Sequence, residues 1–79
     1  MPKWLNCTIT KGMFSDEFTV SVRTRNGDTI SVFVPRDTAE EDRGRVKVRV
    51  AENNGHMVAL LPDEHRSLVD VESSDLVPA

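Results

Sequence analysis

A single cysteine, Cys7, stands among 79 residues, so no internal disulfide can form and a reducing cytoplasm is the expected setting. It lies between Leu5 and Ile9 at strand spacing, which predicts a small buried hydrophobe there and not a reactive thiol. No stretch approaches the roughly 18 uninterrupted apolar residues of a membrane span, and no membrane partner is expected. Met1 to Thr10 carries Lys3 but no apolar run ahead of a small-residue cleavage site, so no secretory leader is expected. Net charge is small too. The 13 carboxylates and 10 Lys and Arg leave −3, a balance that suits a soluble protein better than a general nucleic-acid coat. With no low-complexity tract and no linker, a single domain over residues 1–79 is expected.

Catalytic and metal-binding constellations are missing as well. His56 flanks a turn and His65 lies in the charged run Asp63-Glu64-His65-Arg66. No second Cys or His stands at ligand spacing to complete a metal site. Ser15 near Asp16, and Ser67 near His65, are neighbours in sequence only, which is not triad geometry. The glycines are isolated turn glycines, none opening a phosphate-cradling loop. The sequence therefore predicts no enzyme, no cofactor, no metal and no small-molecule ligand.

What is present is alternation. Phe18, Val20 and Val22 alternate with Thr19, Ser21 and Arg23. Ile30, Val32 and Val34 alternate with Ser31 and Phe33, and Val46, Val48 and Val50 with Arg45, Lys47 and Arg49. A period of two in β-branched residues marks strands with one buried face. No segment keeps an apolar spacing of three and four, so the chain reads as all-β.

The turns set the registers. A two-residue loop at Asn26-Gly27 would put the apolar residues of its two strands on opposite faces. A three-residue loop, Arg25-Asn26-Gly27, pairs Val22 with Ile30, Val20 with Val32 and Phe18 with Val34, with Gly27 taking the left-handed position. The same grammar at Asn53-Asn54-Gly55 pairs Val50 with Val58 and Val48 with Leu60. The expected core is Val20, Val22, Val32, Val48, Val50 and Leu60.

Leu5, Cys7 and Ile9 suggest a first strand, and Lys11 to Asp16 a loop carrying Met13 and Phe14. Thr38 and Glu41 have capping-box spacing, so at most one helical turn, or a loop, is expected between Pro35 and Gly44. Pro62 ends the fifth strand, since proline cannot donate to a ladder. Val69 and Val71 mark a last strand before a turn at Ser73-Ser74-Asp75.

This order resembles the SH3-like small barrels, which have a long loop after the first strand, two tight hairpins and a closing strand after a short helical turn. The ending Val69-Asp70-Val71-Glu72-Ser73-Ser74-Asp75-Leu76-Val77 looks like that closing strand. The resemblance implies a small barrel of five to six antiparallel strands. Ile9 to Val20, with Gly12 and Phe14, is similar to the start of KOW-type barrels, which would imply RNA binding. Glu17-Phe18-Thr19 stand where that family has a second glycine.

Strand geometry then assigns an outer face. Arg45, Lys47 and Arg49 project outward on one strand, Met57, Ala59 and Leu61 on its neighbour, and Phe33 on another. Aromatic and methionine anchors beside arginine are enriched at interface centres. Phe33, Arg45, Lys47, Arg49, Met57 and Leu61 are accordingly the expected contact surface of a non-enzymatic protein-interaction module. An adaptor, a regulator or a small subunit of an assembly fits this description. The acidic stretch Asp37, Glu40, Glu41 and Asp42 reads as a solubilising loop. The alternative is a nucleic-acid-binding barrel, with Arg23, Arg25, Arg45, Lys47 and Arg49 against phosphates and Trp4 or Phe33 stacking bases.

Overall fold

The chain turns from one sheet into another at Cys7. In the computed structural model, which describes residues 2–78 without the side chain of Pro2, β1 (Pro2–Asn6) ends there and β2 (Thr8–Lys11) begins in the second sheet. The Cys7 N–H donates to the Gly44 carbonyl at 2.9 Å, which anchors the corner. The expected first strand is thus two short strands.

The second sheet continues with β3 (Glu17–Arg23) and β4 (Thr29–Pro35), ordered β2-β3-β4. Val20 faces Val32, Val22 faces Ile30 and Phe18 faces Val34, the register expected from the three-residue loop. Gly27 has φ 91°, and its N–H closes the turn on the Thr24 carbonyl at 3.0 Å. A β-branched residue would be strained at such a φ. Phe18, Val20, Val22 and Val34 are buried, while Thr19, Phe33, Ser21 and Ser31 line the outer face.

After β4 comes a 3-10 turn, Arg36–Thr38, and then β5 (Ala39–Glu40), a two-residue strand. The capping box does not form: Thr38 Oγ1 donates back to the Pro35 carbonyl at 2.6 Å, and the chain extends immediately afterwards. The remaining strands are β6 (Arg45–Asn53), β7 (His56–Leu60), β8 (Leu68–Val71) and, past a 3-10 turn at Ser73–Asp75, β9 (Leu76–Pro78). They form a sheet ordered β8-β7-β6-β1-β9, with β5 also on β6. The fold is all-β, with antiparallel sheets and, among the described residues, no helix beyond the two 3-10 turns. The described residues form nine short strands where five to six were expected, because the corner splits one and β5 and β9, of two and three residues, are too short to show alternation.

The second hairpin departs from expectation. Asn54 and Gly55 both take positive φ, 52° and 80°, so the loop has two residues and Asn53 pairs with His56. This is the mirror-image turn that Asn-Gly favours. Val50 therefore faces Ala59, Arg49 faces Leu60 and Ala51 faces Val58. A slip of one residue exchanges the faces of a strand. Ala59 (0 %) and Leu61 (1 %) are core, and Met57 packs half-buried against it. Leu60 leaves the expected core for the outer face.

One apolar cluster draws from both sheets: Leu5, Val46, Val48, Leu61 and Val71 from one, Phe18, Val20, Val22 and Val34 from the other. Val32 and Val50 lie half-buried against it. The Arg25 N–H donates to the Asp70 carbonyl at 2.8 Å, tying the tip of the β3–β4 hairpin to β8.

Candidate binding surface

The expected contact surface does not hold together. Leu61 lies inside the core and Met57 against it, for the register reason above, so neither can anchor a partner. Arg45 is committed within the molecule. Its guanidinium ion-pairs with Glu40 and lies 4.4 Å from the centroid of the Trp4 ring, leaving the side chain 17 % exposed. The same packing covers one face of the half-buried Trp4 ring and engages the Arg45 guanidinium within the molecule. Arg25 Nη1 donates to His56 Nε2 at 3.2 Å. Of the expected residues, Phe33, Lys47 and Arg49 remain exposed.

Phe33 has unexpected company. Among the described residues, four large apolar side chains are exposed, Met13, Phe14, Phe33 and Leu68, and the first three line one concavity of about 520 Å³. Met13 and Phe14 come from the β2–β3 loop, and Phe33 from the outer face of β4. Val34 and Pro35 continue the wall, with Pro62 from the β7–β8 loop opposite. Asp16, Glu17 and Glu64 supply carboxylates to the same concavity.

The loop that presents Phe14 is pinned from behind. Arg36 Nη1 donates to the Ser15 carbonyl at 2.9 Å, the Arg36 N–H donates to the Asp16 carbonyl at 3.0 Å, and the guanidinium packs 4.5 Å from the Phe18 ring centroid. The Glu17 N–H closes the loop on the Phe14 carbonyl at 3.3 Å. Such ties reduce the entropy that a loop loses when it binds.

The β7–β8 loop is stapled as well. Asp63 is 7 % exposed, its Oδ1 accepting the Ser67 N–H at 2.8 Å and its Oδ2 the Ser67 hydroxyl at 2.7 Å. The aspartate of the run Asp63-Glu64-His65-Arg66 is thus a loop anchor, while Glu64, His65 and Arg66 are exposed. No group of three or more His, Cys, Asp or Glu among the described residues is placed to hold a metal ion. Cys7 is half-buried at its corner, and burial pushes its thiol up from 9.0 to about 11. A thiol held protonated is a poor nucleophile, in line with the packing role expected of it.

The chain matches no protein-family model, no curated protein and no solved structure. Its own geometry is the ground for assigning a role. No helix among the described residues is long and apolar enough to cross a membrane.

Met13 and Phe14 are legible in the sequence as apolar residues in a loop, a place where burial does not require them. That Phe33 joins them is not legible, because it depends on how the β2–β3 loop folds over the edge of β4.

Proposed function

We propose that the protein is a non-enzymatic interaction module, acting as an adaptor, a regulator or a small subunit of an assembly in a reducing cytoplasm. It receives a basic and apolar segment of a partner protein in the concavity of Met13, Phe14 and Phe33. One observation carries this reading: three of the four large apolar side chains exposed among the described residues gather on a single acid-rimmed concavity. Exposed apolar residues scattered singly are ordinary, whereas a cluster rimmed by polar groups marks contact sites. The rim of Asp16, Glu17 and Glu64 attracts lysine and arginine and repels phosphate. Charge thus favours a protein partner over RNA or DNA at this face.

The test is an amide-shift titration of the labelled protein with a peptide carrying Leu and Phe flanked by Arg and Lys. Shifts should concentrate at Met13, Phe14 and Phe33, and the double variant Phe14→Ser, Phe33→Ser should remove them while keeping the free spectrum dispersed. Shifts confined to other faces would overturn the reading. So would tight binding of single-stranded RNA with a steep salt slope that Lys47→Gln and Arg49→Gln abolish.

A further inference from the structure

A second concavity, of opposite charge, lies on the other side of Pro62 and Asp63. Along one side of β6, β5 pairs only with Arg45 and Val46, and β7 begins its pairing at Arg49. Lys47 and Val48 have no strand beside them there, and the resulting notch has a volume of about 560 Å³. Leu60 and Pro62 give it partly exposed apolar walls, the core residues Val48 and Leu61 lie behind them, and Thr38 stands among its lining residues.

Three cations, Lys47, Arg49 and Arg66, share the lining. The single ion pair among the described residues joins Arg45 to Glu40, so none of the three has a carboxylate partner there. Asp63 is the one acid in the lining, and both its oxygens are taken by Ser67. Arg66 is held in a left-handed backbone conformation, φ 51°, with its N–H donating to the Asp63 carbonyl at 3.1 Å. A non-glycine residue in that conformation costs free energy that the surrounding loop must offset.

We infer that this notch is a second binding site, for an extended acidic peptide segment in which carboxylates flank an apolar side chain. Unpaired cations around a concavity select an anion. The apolar walls distinguish a peptide from a bare phosphate, which has no aliphatic group to place there. The charge is opposite to that of the Phe14–Phe33 concavity, so the inference does not rest on the function proposed there.

Calorimetric titration of the full chain with a short peptide of alternating Glu and Val tests it. The peptide should bind, its Gln-for-Glu analogue should bind at least about tenfold more weakly, and so should the wild-type peptide to the triple variant Lys47→Gln, Arg49→Gln, Arg66→Gln. The three side chains are exposed, and an unchanged amide spectrum verifies that the variant folds. Phe14→Ser with Phe33→Ser should leave this affinity unaltered, which separates the two sites. Equal binding of the Gln analogue, an unaffected triple variant, or full competition by inorganic phosphate or single-stranded RNA at matched concentration would each overturn the inference.

Discussion

Arg49 stands directly opposite Leu60 across the β6–β7 ladder, and the pairing carries both side chains to the outer face. Leu61, the next residue, consequently points into the core at 1 % exposure. Two adjacent leucines thus differ in what they are worth. Leu61→Ala should cost about 2–4 kcal/mol, because a cavity opens in a packed interior, and Leu60→Ala below about 1 kcal/mol. Urea unfolding of the two variants measures the difference; equal losses would contradict the register.

The turn that sets this register is a backbone device. A Cβ at Gly55 would meet nothing within 4 Å, so Gly55→Val should destabilise only through its φ of 80°. A loss above about 1 kcal/mol is expected. A synthetic chain with D-alanine at position 55, which favours positive φ, should keep or exceed the native stability in thermal unfolding.

Arg45 holds Glu40 and the Trp4 ring together, so its removal acts on β1, β5 and β6 at once. Arg45→Gln should lower stability by about 1–2 kcal/mol, since it deletes a cation–π contact and an ion pair. Trp4 is the only tryptophan, so its emission reports the loss directly. Arg45→Gln with unchanged emission and stability would refute the contact.

Arg36 positions the loop that carries Phe14 without itself lining the concavity. Arg36→Ala should speed amide exchange at residues 14–17 and weaken the basic peptide several-fold, with little change elsewhere. Unaltered exchange would show that the loop holds itself in place.

The Cys7 thiol has a folded pKa raised from 9.0 to about 11 by burial. The folded state then prefers the protonated thiol, so this contribution to stability is complete below pH 9 and declines as pH rises from 9 toward 11. Iodoacetamide at neutral pH should modify Cys7 slowly in the native protein and quickly in urea. Cys7→Ser should flatten the alkaline fall in stability, and an unchanged slope would show that other groups cause it.

The alternation at Phe18–Val22 and Ile30–Val34 determined the strands β3 and β4, their buried faces and, through the position of Gly27, their register. It did so because only one loop length put both apolar sets on the same side. At the second hairpin alternation did not fix the register, for a physical reason. Met57-Val58-Ala59-Leu60-Leu61 is apolar at every position, so hydrophobicity ranks its two faces equally and cannot detect a slip of one. There the Asn54-Gly55 turn decided, and the core accepted Ala59 and Leu61. Sequence alone showed Met13 and Phe14 as loop hydrophobes and Lys47 and Arg49 as an outward pair. Only the tertiary structure brought Phe33 beside the first pair and Arg66 beside the second. Both meetings depend on where the β2–β3 and β7–β8 loops pack, which long-range contacts govern and local patterning does not.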